Sequence, residues 1–416
     1  MDTPKPIALP EKPDLRHLKD QAKDLLRRGE VPTLSMAQLM LARRYGFASW
    51  TKLKAHVESL QDIGRLKQAI DREDFAEVKR LMSADPSLHR APIGYGKDGP
   101  LTWVAECRIP GGPPSETRLA IARWMLENGS DVHQGGDGPL MRAALRDERI
   151  PMMELLLRHG ANVNAAWHGD YPILCAPCEC LAPRVLEWLL AHGADPHQAS
   201  SRYGTPLSMV VGTYSRDAQG KAACLEVFAD AGFALLNTPA MALHRGRTDL
   251  LAEHLRRDPG LLDRCFTQEE IYPPELGCCS SDGMGTTPVD GVTLLHLAME
   301  FDDVATARWL LDHGASPNAK AAVDGEGFGG HTPLFHAVVT LGDRSDAKVR
   351  LLLDRGADPN HRATLRKQLQ DMGDPEKERL EVFREVTPLG YALRYVEQRW
   401  VSDLAEALLR ERGGVE

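Results

Sequence analysis

Three cysteines fall within six residues: Cys175, Cys178 and Cys180, in the string C-A-P-C-E-C. Zinc takes four tetrahedral Cys or Cys/His ligands, usually from two paired knuckles. His168 is a conceivable fourth ligand, but the chain offers no second knuckle. Cys278 and Cys279 are adjacent, a spacing that serves neither one metal nor one disulfide well. No cation or helix start stands beside them in the sequence to lower their pKa, so they read as loop thiols. His331 and His336 flank Thr332 to Phe335 and are the candidates for acid–base work. A histidine base also needs an orienting carboxylate and a pocket, and neither is visible in the sequence. The glycine runs GEGFGG (Gly325 to Gly330) and CSSDGMGTT lack the lysine and the strand–loop–helix context of a phosphate cradle. No G-x-S-x-G, H-E-x-x-H or EF-hand pattern is present.

The elements that position these residues repeat along the chain. An apolar helical run ending in Gly, a small residue, Asp/Asn/Ser, Val or Pro, and His/Asn occurs at Trp124 to His133 and Leu155 to Asn164. It returns at Trp188 to His197, Trp309 to Asn318 and Leu351 to Asn360, with a weaker copy ending at Asn237. Gly129, Gly160 and Gly193 follow one another at intervals of 31 and 33 residues. A second phrase precedes the copies: GTPLSMV (Gly204 to Val210), VTLLHLA (Val292 to Ala298), HTPLFHA (His331 to Ala337) and VTPLGYA (Val386 to Ala392). Thr and Pro start a helix as cap and first-turn residue, and Gly supplies the left-handed end. One such unit cannot bury its apolar face alone, so neighbours must stack.

These phrases resemble the ankyrin repeat, with its G-x-T-P-L-H-x-A and L-L-x-x-G-A-D-V-N strings. The resemblance implies an all-α solenoid of helix–turn–helix repeats with short β-hairpin loops. About nine repeats would occupy residues 63–416, with insertions at 267–290, 320–330 and 362–384. The last of these is highly charged and has helical character. Residues 1–62 read as an N-terminal helical capping segment. Asp14, Thr33 and Ser49 are its helix caps, and Gly46 ends its second helix. The run ARRYGFASWTKLK resembles the segment that precedes repeats in some bacterial ankyrin proteins.

In the repeat register Cys175 falls at an inward position, so the three clustered cysteines are expected to be buried, metal-free thiols. The resemblance gives His296 the role of bonding the backbone between repeats. His336 stands where the family has an apolar residue. Family geometry also places ligand contacts on the concave face. Carried onto this chain, these are Asp98, Glu106, Asp137, Arg146, Trp167, His168, Asp170, Glu179, Glu300, Phe301, Phe328, His331, Arg394 and Tyr395.

Net charge is −9, and 43% of the residues are hydrophobic. The first 60 residues carry 11 basic and 7 acidic side chains, and the remainder is acidic. That balance disfavours nucleic acid and anionic membranes as partners. No apolar stretch reaches 18 residues and no secretory leader opens the sequence, so a cytoplasmic protein with reduced thiols is expected. The function read from the sequence is a non-catalytic scaffold that binds a protein or peptide through its concave face, with no cofactor. The alternative is an ankyrin-based enzyme, or a small-ligand or metal-binding protein, with its site near His331, His336 and the C-terminal insertions.

Overall fold

The structure is a computed structural model that describes residues 7–10, 13–105, 112–278, 287–340, 345–369, 379–395 and 398–416. It separates into two compact units. The first comprises residues 1–143 with 151–161, the second residues 144–150 with 162–416.

The first unit begins with three helices: α1 (Leu15–Arg27), α2 (Leu34–Arg44) and α3 (Trp50–Asp71). Asp14, Thr33 and Ser49 cap them, accepting from the backbone N–H of Arg16, Met36 and Lys52. Leu18, Ala22, Ala37, Leu41, Ala42, Leu53 and Val57 form their common core. The small alanines at three of these positions let the helix axes approach closely. Helix α3 continues to Asp71, and its last turns bury Leu66, Ala69 and Ile70. Arg118 then stitches this helix to the next elements. Its guanidinium donates to the carbonyls of Ile70 and Val104 and pairs with Glu73 at 3.3 Å.

Among the described residues, the second unit holds six helix pairs. The first helices of the pairs are Cys175–Cys180, Pro206–Gly212, Pro239–His244, Leu294–Glu300, Pro333–Val338 and Pro388–Arg394. The second helices are Pro183–Ala191, Ala218–Asp230, Thr248–Arg257, Val304–Asp312, Ala347–Asp354 and Asp403–Glu411. Threonine precedes several first helices as the sequence requires. Thr205, Thr238 and Thr387 each accept a backbone N–H from the first turn. Beyond the second helices, Gly193, Gly232, Gly314 and Gly356 adopt φ values of +84 to +100°, a region that costs other residues strain.

The asparagine that closes the repeat phrase fastens one repeat to the next. Asn164 donates to the carbonyl of Gly193 at 2.9 Å and accepts from the N–H of Asp195 at 2.6 Å. Asn318 does the same with Gly356 and Asp358, and Asn360 with Gly413 and Val415. Each clamp pairs two backbone groups that a bare turn would leave to solvent.

The strands are short. β1 (Ala166–Trp167) pairs with β2 (Tyr171–Pro172) as a repeat hairpin. The 362–384 insertion, expected to carry helix, forms an antiparallel ribbon instead. β3 (Ala363–Leu369) pairs with β4 (Arg379–Val386), Leu365 facing Phe383 and Lys367 facing Glu381. The reason is a period of two hidden among the charges. Ala363, Leu365 and Lys367 are buried while Thr364 and Arg366 are not. The 267–290 insertion begins with a short helix, Gln268–Ile271, capped by Thr267. Within the 320–330 insertion, Val323 bridges to Gly329, which in turn bridges to Thr364 of β3.

Candidate functional site

Two groups of side chains in the second unit collect most of the residues expected at the site. The first is an exposed aromatic patch. The β1–β2 tip turns through His168 and Gly169, at φ +50° and +80°. This sets the His168 ring against Trp167, 4.3 Å between centroids. The Tyr171 ring stands edge-on to both Trp167 and Tyr203, at 6.2 and 5.7 Å. Tyr203 lies in the next hairpin turn and Tyr214 just past helix Pro206–Gly212. They are 47% and 48% exposed, although both are large aromatic rings.

Carboxylates anchor this frame. Glu179 accepts from the Tyr171 hydroxyl at 2.6 Å and from the Tyr214 hydroxyl at 2.8 Å, one on each oxygen. Asp170 accepts from the Ser201 N–H and the Ser200 hydroxyl. Those bonds, the Ser201 backbone first, hold its pKa below the usual carboxylate range. Burial, reinforced by Glu179, pushes the Tyr171 hydroxyl well above its ordinary value. Trp167, His168, Asp170 and Glu179 are therefore brought together as neighbours. Tyr171, Tyr203 and Tyr214 complete the group and were absent from the sequence expectation. Tyr203, directly before G-T-P-L, could have been found by its position.

The three clustered cysteines lie below this patch. Cys175 and Cys178 are fully buried, and Cys180 is half-buried. Burial pushes the Cys175 thiol up to about 12, as it does that of Cys224 in the next repeat, and raises Cys178 well above its usual value. His168 packs on Trp167. Among the described residues no group of three or more His, Cys, Asp or Glu is arranged to hold a metal ion. Cys278 is buried, and Cys279 lies outside the described residues. A thiol reagent at mildly alkaline pH should therefore leave Cys175, Cys178 and Cys224 unmodified in the native chain, while the urea-unfolded chain reacts at all three. Peptide mass mapping reads the difference.

The second group is enclosed. Four residues expected on an open face, Glu300, Phe301, His331 and Tyr395, are at most 4% exposed. Their covering comes from segments distant in sequence. Glu300 ends helix Leu294–Glu300. One of its oxygens takes Arg216 Nη2 at 2.6 Å and the other takes His336 Nδ1 at 2.8 Å. All three side chains are essentially inaccessible to solvent. The Arg216 guanidinium and the Lys221 ammonium lie over Phe301, at 5.5 and 4.2 Å from the ring centroid. Lys367, on the inward face of β3, feels the charges of Glu300 and Arg216, and burial lowers its pKa to about 8. Asp302 binds Lys348 and the Thr340 hydroxyl beside the same helix end.

The histidines form a row. His296 Nε2 donates to the His331 carbonyl at 3.0 Å, the bond between repeats that the repeat pattern calls for. Its Nδ1 accepts from the Thr293 N–H, and burial lowers its pKa to about 3. His331 Nε2 donates to the Pro288 carbonyl at 3.2 Å, so the ring lies under residues 287–292 instead of facing outward. His331 and His336 ring centroids are 5.2 Å apart. Burial depresses both pKa values, against the pull of Glu300 in the case of His336. His331 Nδ1, His336 Nε2 and Arg216 Nε have no hydrogen-bond partner among the described residues. Glu300 supplies the orienting carboxylate that the sequence did not reveal, but it is also locked to Arg216 under β3. The arrangement is that of a buried polar core.

The remaining expected residues are dispersed. Phe328 is half-buried, with the Arg366 and Arg384 guanidinium groups over its ring at 4.6 and 5.9 Å. Arg394 is exposed and lies over Phe383, which contacts Tyr391. Tyr395, one of the enclosed residues, packs on Tyr391 and Trp400. Asp98 and Asp137 belong to the first unit, and Asp137 is buried beside His133. Arg146 is exposed, and Glu106 lies outside the described residues. Arg216 and Lys367, which give the enclosed group its charge, carry no mark in the sequence.

Comparison with known proteins bears on the repeats. The family model for ankyrin repeats in three copies matches residues 269–363, and the single ankyrin repeat model matches residues 135–167. The fowlpox virus (strain NVSL) ankyrin repeat protein FPV022 is 24% identical over 262 residues, 60% of this chain. The chain spans only 42% of that relative's length. The ankyrin repeat domain of human ASB11 is 22% identical, covers 67% of this chain and 99% of its own, and superposes with a TM-score of 0.31. Repeat phrases, helix pairs and asparagine clamps recur along the chain, and it carries ankyrin repeats, matched by the family models over residues 135–167 and 269–363.

Proposed function

We propose that the protein is a non-catalytic scaffold that holds a protein partner, and that the aromatic patch of Trp167, His168, Tyr203 and Tyr214 is its principal contact. Ankyrin repeats generally mediate protein–protein interaction. The observation that carries the reading is the exposure of Tyr203 and Tyr214 beside half-buried Trp167. Large rings held on rigid hairpins offer contact area at little conformational cost, and Trp and Tyr dominate binding energy at interfaces. Glu179 fixes the Tyr171 and Tyr214 rings and Asp170 fixes the Ser200–Ser201 turn before Tyr203, so this part of the surface is preformed. Further support comes from the second group, whose Arg216, Glu300 and His336 side chains are essentially inaccessible to solvent. No described helix is long and apolar enough to cross a membrane, and the eight cysteines fit a reducing, cytoplasmic setting.

The test is crosslinking affinity capture with the wild-type chain beside a Trp167→Ala/Tyr203→Ala variant of unchanged thermal stability. Removing two ring anchors should cost about 2–4 kcal/mol of binding, a loss of about 30-fold or more in partner recovery. Equal recovery by both chains would place the contact elsewhere.

A further inference from the structure

We infer that the aromatic patch recognises a cationic side chain, lysine or arginine, presented by the protein partner; the inference rests on the partner-binding reading above. Its basis is a charge imbalance built into the patch. Glu179 and Asp170 are held only by neutral donors: two tyrosine hydroxyls for the first, serine groups and backbone N–H for the second. Neither forms an ion pair among the described residues. A carboxylate offers about four lone-pair positions, and the tyrosines use one on each oxygen of Glu179. The remaining positions suit an ammonium, or a guanidinium binding with both arms.

The rings add to the same preference. Aromatic faces are electron-rich and attract cations, tryptophan most strongly. Trp167 and Tyr203 each stand at nearly right angles to the buried Tyr171 ring, 89° and 80° between planes, which fixes the orientation of these two more exposed rings. The patch already attracts a cation of its own chain. The Arg202 guanidinium lies 5.1 Å from the Tyr203 ring centroid, without pairing to either carboxylate. The Arg216 guanidinium beside Tyr214 is paired with Glu300, so among the described residues two carboxylates face only the Arg202 guanidinium, within a chain of net charge −9. A basic segment would be steered to the patch and held there.

The experiment uses the full chain and two fluorescein-labelled peptides. One is a short Gly-Ser peptide with a central run of arginines. The other is identical except that citrullines, neutral and of the same shape, replace the arginines. Anisotropy titrations at near-physiological salt should show the arginine peptide binding about tenfold tighter or more. Glu179→Gln should weaken it about tenfold. Glu58→Gln, the same charge change on exposed α3, should leave it unchanged. Trp167→Phe should retain most of the binding and Trp167→Leu should lose about tenfold, because only an aromatic face attracts the cation. Equal binding of the two peptides overturns the inference. So does a Glu58→Gln effect as large as that of Glu179→Gln, or indifference to Phe against Leu at position 167. If the peptides fail while Trp167→Ala/Tyr203→Ala still loses the partner on crosslinking, the partner reading stands and only the cation preference falls.

Discussion

Replacing Glu300 with alanine is expected to destabilise the protein by about 3–5 kcal/mol, the usual cost of breaking a buried ion pair from one side. The charge of Arg216 would stay in an interior where its side chain is 1% exposed, and His336 would lose the acceptor of its Nδ1 proton. Neither group reaches water, because both side chains are essentially inaccessible and the Phe301 ring lies against Arg216. Urea denaturation should show a large fall in the midpoint with little change in slope. Glu300→Gln keeps the shape and one hydrogen bond, so its effect should be smaller. The double variant Arg216→Met/Glu300→Leu should cost less than the sum of its two single changes, since it removes both charges together. If the losses simply add, the pair is not coupled and the enclosed group is not the polar core described above.

Acid should unfold this chain earlier than its carboxylates alone would dictate. His244, His296 and His331 are buried, and desolvation depresses all three pKa values, that of His296 to about 3. Each is anchored as a neutral ring by donating Nε2–H to a carbonyl, of Ile271, His331 and Pro288 respectively. In the unfolded chain the same rings titrate near the ordinary value of about 6.5. Below that pH the unfolded state binds more protons than the folded one, so stability falls as pH falls. The stabilisation is fully present above about pH 6.5 and declines continuously toward the low folded-state values. Three such histidines should lower stability by roughly 4 kcal/mol between about pH 7 and pH 5.5. Lys221, close to His244, opposes its protonation further. Urea midpoints across this interval measure the slope, and a flat profile would show that the rings are already protonated or reached by solvent.

The repeat frame was legible because its signals are local. Thr205 and Thr387 cap helices that open on proline, and Gly193 and Gly356 end others, each within one turn of the residues that announce it. The N-terminal caps Asp14, Thr33 and Ser49 were legible for the same reason. The β3–β4 ribbon was not, because Lys367 occupies an inward position that a hydrophobic pattern would mark with an apolar residue. Its buried ammonium masks the alternation of Ala363, Leu365 and Phe383. The enclosed group escaped notice for a different reason. Arg216 meets Glu300 across 84 residues of sequence, and no spacing rule reaches so far. Glu300 and His331 then lost their exposure to segments whose packing is set by that distant pairing. On the aromatic patch Trp167 and Glu179 were found through register, whereas Tyr214 lies past a helix end where the repeat pattern specifies nothing.

The asparagine clamps have a consequence for how the chain tolerates added sequence. Asn164, Asn318 and Asn360 reach their second partners over 31, 40 and 55 residues, yet the clamp geometry is nearly constant, 2.6 to 2.8 Å in each case. The fastening is thus indifferent to the length of chain it spans. Doubling such a length costs only about 0.6 kcal/mol of closure entropy. Variation in length is thereby decoupled from the joinery between repeats, and new surface such as the β3–β4 ribbon can be grafted within the span of a single clamp, that of Asn360, while the units on either side keep their spacing.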